Sequence, residues 1–236
     1  MNKIFFIAKK EWATYFKSPI AYIVLVLTLC IFNVFFYLII EQNREASLGN
    51  VFQVMEFIFV FLVPLLTMRL FSEEKSSGTM EFLMTAPISN TAIVLGKYFG
   101  ILLLFSVMVA MTSVYYVIIE YFGQPDRLTT ATGFLGIWLE GALFIAIGMM
   151  TSAWTRNQIV AAMSSYSILF FLYFSILFSQ NLKGPVNTII QQLSTMKHLE
   201  NFITGIIHPA DITYYLTGIV FCLLITRLSI ENRLVE

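Results

Sequence analysis

Long apolar runs separated by short polar stretches dominate the chain. Six runs reach or approach the ~20 apolar residues that a helix needs to cross a bilayer's hydrocarbon core. They are Ile20–Ile40, Val51–Leu70, Tyr98–Ile119, Phe134–Ala153, Ile159–Phe178 and Ile212–Leu228, the last at the short end. Lipid offers backbone groups no partner outside their own segment, so each run is expected to be helical. Barrel strands would be shorter and would alternate apolar and polar residues, and these runs do not alternate. The pattern predicts an all-α membrane protein, with residues 1–236 forming a single six-span domain.

Two further segments have helical periodicity without the length or apolarity to span. In residues 1–18, Ile4, Phe5, Ala8, Trp12, Tyr15 and Phe16 fall on one side of a helix, with Lys3, Lys9, Lys10 and Lys17 opposite. Such a helix lies in the membrane interface, and Ser18-Pro19 ends it and turns the chain into the first span. It serves either as a surface anchor or as an elbow touching a partner. In residues 179–210, Ile189, Ile190, Leu193, Met196, Leu199, Phe202, Ile203 and Ile206 recur near helical spacing between Gly184-Pro185 and His208-Pro209. This segment is too polar to span and too apolar for a free loop. One or two short helices at, or dipping into, the outer leaflet are expected.

Composition agrees with a lipid environment: 58% of residues are hydrophobic and 12% charged, where soluble domains carry about 25% charged residues. Net charge is zero, so nothing points to nucleic acid. The distribution of cations carries more information. Ten of the fourteen Lys and Arg lie on one side of the six-span topology: Lys3, Lys9, Lys10, Lys17, Arg69, Lys75, Lys97, Arg156, Arg227 and Arg233. Arg44, Arg127, Lys183 and Lys197 lie on the other. The excess of Lys and Arg on cytoplasmic loops then places both termini in the cytoplasm and residues 179–210 outside. The first apolar run starts only after a charged stretch and lacks a small-residue cleavage site, so it reads as a retained span. Cys30 and Cys222 fall in separate apolar runs and suggest neither a metal site nor a redox pair.

Residues 71–97 are the most informative. The chain is polar through Phe71–Gly78. A short amphipathic helix can follow, with Gly78 near its start, Glu81 in its first turn where the helix dipole favours a carboxylate, and Met80, Leu83 and Met84 on one face. Pro87 ends it. Ser89, Asn90 or Thr91 can cap the helix that enters the membrane next. A charged helix clamped between two spans has the shape of a docking element for a soluble partner.

Glu73-Glu74-Lys75, Gly78-Thr79, Glu81, Pro87 and Gly96-Lys97 together resemble the signature string of ABC-2 type transporter permeases. The Ser-Pro before the first span, residues 199–207 leading to Asp211 and Tyr214-Tyr215, and the terminal Glu231-Asn232-Arg233 extend the resemblance over essentially the whole chain. Leu66-Thr67-Met68-Arg69 makes it most similar to the subset containing the gliding-motility permease and the permease of nitrous-oxide-reductase maturation. The resemblance implies a permease subunit in a prokaryotic cytoplasmic (inner) membrane. It would be paired with an identical or homologous permease and driven by a separate ABC ATPase that binds ATP and Mg. An external accessory protein is a further possible partner. It also implies that Glu73, Glu74, Lys75, Gly78, Thr79, Glu81 and Pro87 form the coupling helix and that the cargo is exported, while Arg156-Asn157-Gln158 reads either as a smaller second contact or as a polar turn without function.

No catalytic or cofactor chemistry is written in the chain. Gly96-Lys97 lacks the upstream glycine and following Ser or Thr of a phosphate loop, and no H-E-x-x-H or G-x-S-x-G occurs. His198 and His208 have no carboxylate at ligand spacing and read as ordinary loop residues. Ionisable groups within spans are costly and mark functional candidates. Glu56 and Glu140 are the two deep ones, and with Gln53 and Asn33 they are candidates for the translocation path. Two other readings stay open: an ATP-driven anchor or mechanotransmission module without cargo, and a secondary transporter.

Overall fold

The computed structural model describes residues 3–17, 19–43, 47–81, 88–179 and 184–231. Described residues are helical apart from short connections, and no strand occurs among them. The helices are α1 (Lys3–Lys17), α2 (Pro19–Asn43), α3 (Gly49–Thr67), α4 (Arg69–Ser76), α5 (Asn90–Thr112), α6 (Val114–Phe122), α7 (Arg127–Trp154), α8 (Gln158–Ser179), α9 (Pro185–Leu193), α10 (Thr195–Ile203) and α11 (Pro209–Glu231). Six helical stretches are long and apolar enough to cross a membrane: Tyr22–Gln42, Gly49–Ser76, Asn90–Phe122, Arg127–Trp154, Gln158–Leu177 and Pro209–Glu231.

Starts of helices follow local chemistry. Ser89 Oγ accepts from Ala92 N–H at 3.3 Å at the head of α5, and Asp126 Oδ1 accepts from Leu128 N–H at 3.0 Å at the head of α7. Each satisfies one of the amides that a helix N-terminus leaves unpaired.

The hub is α7. In lipid, apolar burial gains nothing over tail contact, so close fit must hold helices together. The glycines of α7 provide that fit. A Cβ on Gly141 would sit 2.0 Å from Phe105 Cζ, and one on Gly148 would sit 2.0 Å from Thr67 Oγ1. Two registers result. Helices α3 and α7 run parallel, with Phe52 against Gly133 and Thr67 against Gly148. Helix α10 runs antiparallel to α7, with Gly205 against Thr129, the Phe202 carbonyl accepting from Thr132 Oγ1 at 2.8 Å, and Leu199 against Gly136.

By contrast, α2 is peripheral. Phe32 packs edge-on against Phe59 and Phe36 stacks on Tyr115, while Val26, Val34 and Tyr37 stay exposed. On the other side of the bundle, α9 buries no residue, whereas α10 buries Leu199 and Phe202.

Candidate functional site

Span 2 does not stop where its apolar run stops. It continues as α4, so Glu73, Glu74 and Lys75 stand on a helix that prolongs the span, not in a polar lead-in. The joint at Met68 has an identifiable cause. Ser152 of α7 donates to the Met68 carbonyl at 2.7 Å and accepts from the Phe71 and Ser72 amides at 3.0 and 3.1 Å. A side chain inserted into the backbone ladder offsets the helix there. Ser77 and then Gly78, at φ 72°, end α4. Gly78 therefore terminates one helix, where the left-handed backbone favours glycine, and does not begin the next. Residues 79–81 open a further helical turn. Leu83, Met84 and Pro87 lie outside the described residues.

The three charged residues of α4 point three ways. Glu73 is exposed, with only a 3.9 Å pair to Arg69. Glu74 turns inward and accepts from Lys97 Nζ at 2.7 Å. Lys75 is buried, its Nζ donating to the Ala153 carbonyl in the last turn of α7, which also accepts from Ser229 of α11 at 3.2 Å. A cation at a helix C-terminus meets orphan carbonyls and the negative end of the dipole. Gly78, Thr79 and Glu81 are exposed and Met80 is buried. Arg156 is exposed in the turn between α7 and α8.

Lys97 ties this region together. Its side chain is 3% exposed and donates to Glu11 of α1 at 3.0 Å as well as to Glu74, with its Nζ 5.3 Å from the Phe71 ring centre. Helix α1 reaches it because Gly96 and Gly100 leave room. A Cβ on Gly96 would lie 2.6 Å from Ile7 Cβ, and one on Gly100 would lie 2.7 Å from Glu11 Cβ. The Tyr15 hydroxyl donates to the Leu66 carbonyl at 3.0 Å, and burial, then the Glu11 carboxylate, push that phenol up. Between α1 and α4 lies a cavity of about 430 Å³ lined by Lys10, Glu11, Arg69, Glu73, Ser77 and Thr79, among others. The sequence signal for Lys97 was present, since a lysine opening an apolar run needs a counter-charge. Its partners, 86 and 23 residues away, were not.

The candidate path residues separate. Gln53 and Asn33 are exposed, Asn33 accepting from the Tyr115 hydroxyl at 2.8 Å. Glu56 and Glu140 are 0% and 1% exposed, so neither lines an open path in this conformation. His198 is not an ordinary loop residue. Its Nδ1 lies 2.6 Å from Asp211 Oδ1 and its Nε2 3.0 Å from the Gln192 carbonyl, and the ring stacks on Tyr214 at 4.0 Å. Asn201 donates to the other Asp211 oxygen at 2.9 Å. Helix α11 brings in the carboxylate that spacing along the chain did not reveal.

Residues 5–223 match the model of the family described as ABC-2 family transporter protein. No curated protein matches the chain.

Proposed function

The chain belongs to the ABC-2 transporter family, and we propose from that premise that its exposed α4 end is where the ATPase subunit drives it. As a member of the family it is the membrane-spanning permease of an ABC transporter; it carries no cofactor, and a separate ABC ATPase subunit hydrolyses ATP. In our reading Glu73, Gly78, Thr79 and Glu81 meet that subunit, while Glu74 and Lys75 transmit its movement inward. Pro87 and Arg156 complete the docking elements. One observation carries the proposal: an exposed, partly acidic turn is joined through Lys97 to α1 and α5, and through Lys75 to the end of α7. A push on α4 is therefore felt by the hub of the bundle.

The excess of Lys and Arg at this end supports a cytoplasmic location for it and for both termini. We place the chain in a prokaryotic inner membrane, as one of two permeases that are identical or homologous. Exposed apolar residues of α2 and the exposed Gln53 and Asn33 suit a path between two copies. Glu56 and Glu140 would join that path only after α7 and α10 separate. Cargo export, with an external accessory protein contacting α9, and the finer kinship with gliding-motility and nitrous-oxide-reductase-maturation permeases belong to the same proposal. Leu66-Thr67-Met68-Arg69 supports that kinship.

The test is purification of tagged chain in mild detergent with its bound proteins. An ABC ATPase is expected among them, and its hydrolysis rate should depend on the chain. Glu81→Lys, or deletion of 76–81, should abolish that dependence while the bundle melts as before. Unchanged partner binding and unchanged transport in both variants would sink the docking assignment.

A further inference from the structure

Glu56, Glu140 and Thr195 are 0%, 1% and 0% exposed, and the two helix registers bring them together. The parallel register of α3 on α7, which sets Phe52 against Gly133 and Met68 against Ser152, puts Glu56 facing Glu140. The antiparallel register of α10 on α7, which sets Thr132 against Phe202 and Gly136 against Leu199, puts Thr195 against Glu140. The two carboxyl groups interact with each other, and Glu140 also with the Thr195 hydroxyl. None of the five side-chain oxygens of these residues makes a hydrogen bond in this conformation. Native interiors rarely leave one such group unpaired.

Among the described residues, no cation acts on either carboxyl group. Tyr173 of α8 and Tyr215 of α11 lie within electrostatic reach of both carboxyl groups, Tyr214 within reach of Glu140, and Asp211 within reach of Tyr215. None of these is a cation. The nearest imidazole, His198, stands one helical turn from Thr195 and is engaged by Asp211 and the Gln192 carbonyl. Two facing carboxylates cannot both stay ionised in an apolar interior, because neither solvent nor a cation compensates the charge. Something positive must be bound.

We propose that Glu56, Glu140 and Thr195 form a closed proton-binding site in which the two carboxyl groups hold a proton between them. The Thr195 hydroxyl stands against Glu140 as the third wall. Helix α10 is the cover. It seals the site from the end of the bundle opposite α4, and the segment that carries it is bracketed by Gly184 and Gly205 at φ 88° and 84°. The site stands independently of ATPase docking, so the permease chain alone can be tested.

Infrared spectroscopy of the full-length chain in lipid nanodiscs at mildly alkaline pH reads the site directly. Water-exposed carboxyl groups are then ionised. The expected result is a surviving carboxylic-acid C=O band that shifts in heavy water. The band should be lost in the Glu56→Gln/Glu140→Gln variant, which keeps the shape of both side chains. Should that variant fail to fold, the wild-type band alone decides, because a spectrum with only ionised carboxylates overturns the proposal. A band that persists in the folded double variant overturns it too. So does a melting temperature raised by sodium or calcium over choline in wild type but not in the double variant, which would make this a metal-cation site.

Discussion

Replacing Lys97 with methionine tests whether the α1–α4–α5 junction is held electrostatically. The ammonium is 3% exposed and sits 3.0 and 2.7 Å from two carboxylates. At an effective dielectric of about 20 these contacts are worth about 5.5 and 6 kcal/mol before desolvation is subtracted. Desolvation of the ammonium cancels much of that sum. Removing one partner of a buried pair nevertheless costs about 3–5 kcal/mol, because the remaining charges lose their compensation. Glu11 and Glu74 are 15% and 24% exposed and regain some water, so the low end, about 3 kcal/mol, applies. For a chain of this size that lowers the melting temperature by roughly 6–12 °C. The assay is thermal unfolding of the detergent-solubilised full chain. Adding Glu11→Gln and Glu74→Gln should recover most of the loss, since no orphaned charge then remains. The reasoning fails if Lys97→Met alone melts within the ~0.5 kcal/mol scatter of ordinary surface substitutions, or if the triple variant is worse than the single.

The other expectations concern neighbouring features. Lys75→Met removes a donor to the Ala153 carbonyl and should cost about 1–3 kcal/mol in the same melt, while Glu81→Lys should leave the melt unchanged and weaken ATPase capture. Gly141→Ala drives a Cβ into Phe105, so the melt should show a loss of about 1–3 kcal/mol from overpacking. The Asp126 carboxyl is held below the usual carboxylate range by the Thr129 hydroxyl and the Leu128 amide. Because its folded value is depressed, its stabilisation of α7 is present above the unfolded carboxylate range and is lost as pH falls through the folded value. Wild type and Asp126→Ala should therefore differ at neutral pH and converge in acid. His198→Ala should speed amide exchange across residues 195–203, the helix that this ring ties to Asp211.

Six spans were readable from the chain because length and apolarity are local properties that lipid enforces segment by segment. Their ends were less so. Span 2 runs on through Ser76 and the third span begins at Asn90, since polar residues such as Glu73 and Glu74 remain helical once Ser152 and Lys97 accommodate them. Met196, Leu199 and Phe202 already had helical spacing, but only packing on α7 distinguished α10, which buries residues, from α9, which buries none.

By itself the sequence determined the membrane class, the family motif and the absence of a phosphate loop, all of which depend on residues close together in the chain. The tertiary structure decided which charges face where. Glu73, Glu74 and Lys75 are consecutive, yet about 100° of helical rotation per residue sends one to solvent, one to Lys97 and one to the end of α7. Likewise Glu56 and Glu140 acquire each other and Thr195 only through helix registers that Gly133, Gly136 and Gly148 permit. An ionisable group's role is set by what compensates its charge, and here that partner is usually far away in the chain and adjacent only after folding.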